Sequence, residues 1–254
     1  MASLASLVSQ ANDWLSIDEI PDYPGALNGL QLENSGEVSS IAAAVDACEA
    51  VIGAACDAGA DLLVVHHGLF WNGAQKIENA SYRKLKRAIE ADLAIYSAHI
   101  PLDVHATLGN NAGLWAAIDE SITPEPFFPW KGVDLGLSCS LPDWPLDRLI
   151  RSVSGAVGHN PHVCRGGEES AGRVGIITGG AGSEIAQVAA AGIDTFITGE
   201  GPHWSYTAAE ELGVNVIYAG HYSTETFGVR ALASRWCQEN SDLEWSFIDH
   251  PTGL

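Results

Sequence analysis

Short apolar runs alternate with stretches of helical periodicity along most of this chain. An apolar run bounded by turn residues predicts a buried strand, and apolar residues three or four apart predict an amphipathic helix. The predicted strands are residues 40–45, 62–65, 94–98, 174–177, 195–198 and 214–218. The predicted helices are residues 4–15, 47–58, 82–91, 110–118, 146–157, 184–191, 206–212 and 224–237. Strands that alternate with helices favour an α/β fold with mostly parallel pairing.

Two segments of this pattern resemble each other in sequence. They are IAAAVDACEAVIGAACDAGADLLVVHHGLFW (41–71) and VGIITGGAGSEIAQVAAAGIDTFITGEGPHW (174–204). A constant spacing of 133 residues aligns the pairs Gly59 with Gly192, Asp61 with Asp194, His67 with Glu200, Gly68 with Gly201 and Trp71 with Trp204. We interpret the resemblance as an internal duplication. It predicts two similar α/β domains whose mixed sheets are flanked by helices.

A second resemblance follows each of these segments. IYSAHIPLD (95–103) matches IYAGHYSTE (217–225) at a spacing of 122 residues, which pairs His99 with His221 and Asp103 with Glu225. Between the two halves, residues 122–129 hold three prolines and two phenylalanines, a composition that breaks regular structure and predicts a linker. We therefore expect domains over residues 1–121 and 122–254, with approximate boundaries and intertwined chains.

Histidines and carboxylates follow the predicted strands. In parallel α/β sheets, binding sites form beyond the carboxyl ends of the strands, and His66, His67, His99, Glu200 and His221 all fall there. Successive strand residues point to opposite faces, so we expect the strand to end before His66 and His67 if both are to reach one site. The alternative interpretation of the His-His pair is ordinary surface or loop sequence.

The two His-x3-carboxylate patterns predict different local structures. His99 and Asp103 enclose Pro101, which predicts a turn from strand to loop. For His221 and Glu225, capping of the final helix by Ser223 or Thr224 places Glu225 in its first turn. Each pattern alone is also compatible with a capped turn or a core histidine, but their recurrence at matched positions favours ligands. Imidazole and carboxylate suit divalent metals of borderline hardness and predict a dinuclear site.

Glycine-rich and unmatched histidine positions add two weaker candidates. The TGGAG segment (178–182) lies between a predicted strand and a helix, and it lacks the lysine of a Walker A motif. A tight turn is favoured over anion binding. Among the histidines without a matched partner, His203 is the one that we expect to line a cleft, because it follows Gly201 and Pro202.

Charge and cysteine content narrow the functional classes. The formal net charge is −20, which disfavours nucleic acid and anionic membranes as partners because their phosphates are repelled. The five cysteines are scattered without a C-x-x-C pair, as expected in a reducing cytosol. No signal peptide or transmembrane run is apparent in the sequence, so we expect a cytoplasmic protein with no membrane partner.

The chain resembles a known group, the YbgI-like dinuclear-metal family, also called Nif-three-like. Its members bear the name GTP cyclohydrolase 1 type 2 homologue. The segments that carry the resemblance are NGLQLE (28–33), VVHHGLFWNG (64–73), HIPLDVHATLGNN (99–111), TGGAG (178–182), FITGE (196–200) and AGHYSTETFGVRAL (219–232). They span most of the chain in the family's order and show no departure at the ligand positions.

The resemblance implies two interlinked α/β domains, a ring-shaped homohexamer built as a trimer of dimers, and two divalent metal ions per chain. The implied metal ligands are His66, His67, Asp103, His221 and Glu225. It implies that His99 either supports the ligands or binds a metal transiently, and it places Glu200 near the centre as a base or water-positioning group. Whether the ions are Fe, Mn, Zn, Ni or Mg is left open.

For activity, the resemblance implies a metal-dependent hydrolase with a small-molecule or nucleotide substrate, and the family name suggests hydrolytic opening of the guanine imidazole ring of GTP. Two other classes stay open. One is a protein that handles or delivers metal without turnover, and the other is an interaction scaffold that uses the ring.

Overall fold

Strands and helices alternate along the chain in the computed structural model, which describes residues 1–71, 73 and 75–254. Asn72, which belongs to the VVHHGLFWNG segment, and Ala74 lie outside the described residues. The helices are α1 (Leu4–Leu15), α2 (Glu49–Asp57), α3 (Asn79–Glu90), α4 (Ile100–Val104), α5 (Asn110–Ile118), α6 (Leu146–Val157), α7 (Ile185–Ala190), α8 (His203–Leu212), α9 (His221–Thr224) and α10 (Thr226–Glu239). A 3₁₀ turn, Ala181–Glu184, precedes α7.

The strands are β1 (Ala2–Ser3), β2 (Gly29–Leu32), β3 (Glu37–Val38), β4 (Ser40–Asp46), β5 (Leu62–His67), β6 (Ala94–Ser97), β7 (Glu125–Trp130), β8 (Val133–Pro145), β9 (His162–Arg165), β10 (Ser170–Ile176), β11 (Thr195–Thr198), β12 (Asn215–Tyr218) and β13 (Glu244–Phe247). The predicted α/β class is confirmed, with mixed sheets flanked by helices. No helix in the described part of the chain has the length and apolar character to span a membrane.

Two compact units divide the chain. Unit 1 comprises Met1–Leu102 and Gly228–His250, and unit 2 comprises Asp103–Phe227 and Pro251–Leu254. These unit boundaries differ from the domain boundary predicted between residues 121 and 122, and packing explains the difference. Helix α5 joins the core of unit 2, where Leu114 and Trp115 belong to the same buried cluster as Leu149 of α6. The chain then returns to unit 1 through α10, whose buried Trp236 donates its indole N–H to the Leu7 carbonyl at 3.0 Å.

Unit 1 is built on a five-stranded sheet, ordered β13-β4-β5-β6-β2 in the described residues. Strands β13, β4, β5 and β6 run parallel, and β2 adds antiparallel at the edge. The run Leu62–Val65 of β5 is fully buried, as expected for a parallel strand covered on both faces. Helix α1 starts where the Ser3 hydroxyl accepts from the Ser6 N–H at 3.1 Å, a standard N-cap.

Unit 2 is built on a six-stranded sheet, ordered β7-β8-β10-β11-β12-β9 in the described residues. Its central strands β10, β11 and β12 are parallel, and β8, β7 and β9 add antiparallel. Thus each unit contains three consecutive parallel strands joined by helices, with an antiparallel edge strand next to the third. This arrangement places the ends of β5 and β6 side by side in unit 1, and those of β11 and β12 side by side in unit 2.

The predicted linker over residues 122–129 is wrong. Residues Glu125–Trp130 form β7, which pairs antiparallel with β8. Proline is tolerated there because β7 lies at the edge of the sheet, where one side of the strand donates no ladder hydrogen bonds. Phe127 is buried and its ring lies where a Cβ on Gly136 or Gly175 would stand, so the segment is held by packing against the sheet.

The first resemblance between the halves corresponds to matching local structure. Gly59 and Gly192 both have positive φ, 70° and 76°, just after α2 and α7. The Asp61 carboxylate accepts from the Ser40 N–H at 3.0 Å, and the Asp194 carboxylate accepts from the Arg173 N–H at 2.7 Å. Each aspartate therefore ties the start of the second parallel strand to that of the first. These shared positions are what the interpretation as a duplication requires.

For the second resemblance, the pairing of the strands differs by one residue from the alignment of the two sequences. Strand β6 pairs Ile95 with Leu63, whereas β12 pairs Val216 with Phe196, the residue that matches Leu63. Ile95 therefore corresponds to Val216 and not to Ile217. A one-residue change of register turns strand side chains to the opposite face, and Gly220, with φ of 89°, supplies the additional residue before His221.

Candidate functional site

Three histidines of unit 1 lie together at the ends of β5 and β6. One ring nitrogen from each of His66, His67 and His99 lies within 4.8 Å of the other two. The ring centroids of His66 and His67 are 4.8 Å apart, and those of His66 and His99 are 4.9 Å apart. His66 and His99 are buried, and His67 is partly exposed. The cluster thus presents three imidazoles to one point that is accessible beside His67.

Each of these imidazoles is held through Nδ1 by an oxygen atom. His66 Nδ1 lies 2.9 Å from the Ala98 carbonyl, and His67 Nδ1 lies 2.9 Å from Asp46 Oδ1. His99 Nδ1 lies 2.8 Å from Asp22 Oδ1. A carbonyl or carboxylate accepts, so Nδ1 carries the proton and Nε2 carries the lone pair. Metal-ligating histidines show this arrangement, in which the second nitrogen fixes the tautomer and the ring orientation.

The most elaborate support surrounds His99. Asp22 Oδ2 accepts from the Ile100 N–H at 3.0 Å and from the Asn28 amide at 2.9 Å, while Asn28 Oδ1 accepts from the His99 N–H at 2.7 Å. Burial raises the pKa of Asp22, but hydrogen bonds and attraction from His99, with those from Asn28 and Tyr23, outweigh it and leave the pKa below its usual value. Asp22 is therefore an ionised carboxylate that orients the imidazole.

The indole of Trp71 covers the exposed side of the cluster. Its ring meets that of His99 edge-on at 4.5 Å between centroids and that of His67 at 5.3 Å. The adjacent Gly68 packs against Gln31, whose amide nitrogen would lie 2.2 Å from a Cβ at that position. Gln31 Oε1 accepts from the Leu69 N–H at 2.6 Å. These contacts fix the chain where it leaves β5.

Unit 2 carries a second group of donors beyond the ends of β11 and β12. His221 Nδ1 lies 2.8 Å from Glu200 Oε1, and His221 Nε2 lies 3.1 Å from Glu225 Oε1. Glu225 is buried, with 2% of its surface exposed, whereas the Glu200 side chain is 41% exposed. Each ring nitrogen of His221 therefore faces a carboxylate. One carboxylate orients the ring, and the other lies on the side of the nitrogen that would bind a metal.

The two carboxylates change the ionisation of His221. Burial lowers its pKa, but hydrogen bonds and attraction from Glu225 and Glu200 outweigh burial and raise the pKa to about 9. At neutral pH the imidazolium compensates the charge of buried Glu225. A divalent cation that binds His221 on the side of Glu225 must displace the proton of the imidazolium.

We expect the metal-free protein to lose stability as the pH rises from 6.5 through about 9. The folded pKa of His221 lies above the unfolded value of 6.5, so its contribution is complete below pH 6.5 and is lost as the pH rises through about 9. Thermal melts in chelator across this range provide the measurement. The His221→Gln variant should show a flatter profile, and equal slopes for the two proteins would contradict the expectation.

Asp103 lies in unit 2 among buried polar groups. Its Oδ1 accepts from the Asn110 amide at 2.8 Å and from the Thr178 hydroxyl at 3.2 Å. The Asn111 amide donates to the Asp103 carbonyl at 3.0 Å, and its oxygen accepts from the Thr178 N–H at 3.0 Å. This network fixes the carboxylate of Asp103 and anchors the start of the TGGAG turn.

The TGGAG turn passes directly over the donors of unit 2, where glycine is required. Gly179 has φ of 71°, and a Cβ there would lie 2.3 Å from Glu225 Oε1 and 3.4 Å from His221 Nε2. Its N–H donates to the Thr224 hydroxyl at 3.1 Å, and its carbonyl accepts from the Gly199 and Glu200 N–H groups. These contacts support the predicted tight turn.

Local structure around the predicted ligands differs from expectation at three places. Strand β5 continues through His67, which pairs with Asp46, so the strand does not end before the His-His pair. Ile100–Val104 is helical, since Pro101 lies in the first turn, where its missing N–H leaves no hydrogen bond unmade. Glu225 lies between α9 and α10 and not in the first turn of the final helix.

Several supporting residues were missed by reasoning from the sequence. Asp46 ends β4, and no sequence pattern links it to a histidine. Asp22 lies in a loop, 77 residues before His99, the histidine that it orients. Asn28 begins the NGLQLE segment, which was the one available signal. The structure also places His99 in the same cluster as His66 and His67, although the resemblance gave it a lesser role.

Known proteins are similar to this chain in sequence. The model of the Duf34/NIF3 (NGG1p interacting factor 3) family matches residues 3–252. The chain belongs to the Duf34/NIF3 family. It is 42% identical over 250 residues to the GTP cyclohydrolase 1 type 2 homolog of Deinococcus radiodurans, covering 98% of this chain and 93% of the relative. It is 38% identical to the protein of the same name from Escherichia coli K12, covering 94% and 95%.

Two solved structures share the fold. TTHA1606 from Thermus thermophilus matches with a TM-score of 0.88 at 36% identity over the whole of both chains. Reduced HcgD from Methanocaldococcus jannaschii matches with a TM-score of 0.85 at 27% identity, covering 98% of each chain. These matches cover both units, so this Duf34/NIF3 protein shares its fold with these structures.

Proposed function

We propose that this Duf34/NIF3 protein is a dinuclear metal-centre protein that acts as a metal-dependent hydrolase. The observation that carries the proposal is the His66–His67–His99 cluster, in which every Nδ1 is bound to an oxygen acceptor. A histidine that only fills a core needs no such common orientation. Three rings that are each held through Nδ1 by oxygen, and that each bring a ring nitrogen within 4.8 Å of the other two, are arranged as metal ligands are.

The donor chemistry of both units fits divalent cations. Unit 1 supplies imidazole nitrogens, and unit 2 supplies the imidazole of His221 with the carboxylates of Asp103 and Glu225. This mixture suits Zn, Fe, Mn or Ni better than Ca. We keep His66, His67, Asp103, His221 and Glu225 as the proposed ligand set and add His99. The family resemblance, which assigns them to one dinuclear centre, is the ground for joining the two groups.

The chain's own residues then have defined tasks. Asp22 and Asp46 orient His99 and His67, and Trp71 packs edge-on against both rings. A pair of divalent ions supplies Lewis-acid charge that polarises a substrate and activates water. The names of the curated relatives point to a GTP cyclohydrolase-like reaction, and we propose this class of hydrolysis for the protein.

Glu200 receives a positioning role in this proposal in place of the predicted catalytic one. Its carboxylate accepts from His221 Nδ1 at 2.8 Å, as in the carboxylate–histidine pairs of metal sites. We expect Glu200→Gln to lower metal affinity by about 10- to 100-fold, while kcat per bound metal stays near that of the wild type. A catalytic base would give the opposite result, with full metal and little turnover. Glu210→Gln, on the exposed side of α8, serves as the control.

The hydrolase proposal is tested on protein purified without chelator. Elemental analysis gives the metal content, and a screen of GTP, other nucleotides and phosphoesters gives turnover. Metal-dependent product formation that a chelator abolishes and metal restores supports the proposal. Full metal occupancy with rapid metal exchange and no turnover replaces it with a metal-handling function. The homohexamer stays a prediction, which light scattering coupled to gel filtration tests.

A further inference from the structure

Unit 2 contains a cleft that the proposed ligand set does not use. Its volume is about 580 Å³, within the range of roughly 300–1,000 Å³ for small-molecule sites. The residues that line it come from the ranges 159–162, 199–207, 218–220 and 253–254. His203 is among them, as the sequence predicted. The cleft therefore has the size for a ligand of nucleoside dimensions.

One wall of the cleft is a set of aromatic rings. The rings of His162 and Tyr218 are stacked, with centroids 6.1 Å apart and planes inclined by 29°. Tyr206 lies 5.5 Å from His162 at 38°. The Tyr218 hydroxyl is fixed by Ser205 Oγ at 2.8 Å. His162 is exposed and Tyr206 is half-buried, so aromatic faces are accessible to a ligand. A planar heterocycle stacks favourably on such rings.

The cleft is also lined by a carboxylate that contacts His221. Glu200 lines the cleft between two glycines, Gly199 and Gly201, and its Oε1 accepts from His221 Nδ1. A carboxylate has only acceptor atoms when ionised. A ligand that reaches it must therefore supply N–H or O–H donors, as ring and exocyclic nitrogens of many heterocycles do.

The cleft has few groups that could bind phosphate, since its side chains able to carry positive charge are limited to the imidazoles of His159, His162 and His203. Among its lining residues, all of which the structure describes, there is neither a lysine nor an arginine, and Glu200 adds a negative charge. Phosphate recognition ordinarily uses such cations. The net charge of −20 adds a further repulsion at low ionic strength.

We propose that this cleft binds an uncharged, planar nitrogen heterocycle of nucleoside size, stacked on Tyr206 and His162 and held by Glu200 through its N–H groups. The inference rests on the proposed function, because Glu200 lines this cleft and also orients His221, one of the proposed metal ligands. It assigns recognition to the base, because the lining offers no lysine or arginine to bind phosphate groups.

The test uses equilibrium dialysis of the metal-containing protein with guanosine, adenosine, cytidine, uridine and GTP. We expect saturable binding of at least one nucleoside. We also expect GTP to bind no more tightly than guanosine, and its affinity should increase with salt as repulsion is screened. Absence of nucleoside binding overturns the inference, and so does GTP affinity more than about tenfold above that of guanosine.

Variants of one ring separate stacking from folding. Tyr206→Ala should weaken nucleoside binding by roughly 10- to 100-fold, while Tyr206→Phe, which keeps the ring, should bind within about twofold of wild type. Tyr82→Ala, an exposed tyrosine of unit 1, is the control and should bind normally. Unchanged binding in a folded Tyr206→Ala overturns the assignment. Metal analysis of the same samples distinguishes failure of the proposed function from failure of this inference. Absence of a metal centre contradicts the proposed function, whereas nucleoside binding can still be measured.

Discussion

Replacing His67 with alanine should remove most of the metal that the chain retains after dialysis. His67 contributes one of the three converging nitrogens of unit 1, and its orientation is set by the hydrogen bond to Asp46. Loss of a direct ligand exceeds the roughly 10- to 100-fold loss of affinity typical for a residue that only orients a ligand. Elemental analysis of folded protein, with circular dichroism as the check on folding, gives the result.

Two further variants make this experiment specific. Asp46→Asn keeps an oxygen acceptor but removes the charge, so we expect an intermediate loss of affinity of about 10-fold. His203→Ala changes an exposed histidine outside the cluster and should keep the full metal content. If folded His67→Ala retains as much metal as His203→Ala, the ligand role of His67 is wrong and the cluster has a structural function only.

Gly179→Ala should destabilise the protein and disturb its metal binding together. A Cβ at this position meets Glu225 Oε1 at 2.3 Å, and the φ of 71° is strained for any residue with a side chain. Glu225 is buried, so it has little room to move. We expect a loss of roughly 2–4 kcal/mol, or a fall in Tm of about 5–15 °C for a chain of this size.

The neighbouring glycine supplies the matched control. A Cβ on Gly180 would have His221 Cε1 at 3.6 Å as its nearest neighbour, an ordinary contact, and its φ of −94° suits alanine. Gly180→Ala should therefore change Tm by no more than a few degrees and keep the metal. Equal behaviour of the two variants in thermal melts and elemental analysis would show that the close approach to Glu225 has no energetic consequence.

The sequence by itself determined the elements that build the two sheets and the residues that end their strands. Apolar periodicity located β11 and α1, α5 and α6 at their observed bounds, because their buried positions follow a period that a single segment shows. The edge strands β7, β9 and β13 were not recognised. Their burial patterns are weak, since an edge strand is stabilised by a neighbour distant in sequence.

The candidate site divides in the same way. Histidine and carboxylate side chains at strand ends were visible from spacing alone, since consecutive parallel strands place their carboxyl ends at one edge of a sheet. The pairing of Asp22 with His99 and of Glu200 with His221 was decided only by the tertiary structure. The one-residue shift of β12 relative to the repeat was decided there too. Hydrogen bonds between residues far apart in the chain, and the register of paired strands, depend on contacts that no local pattern encodes.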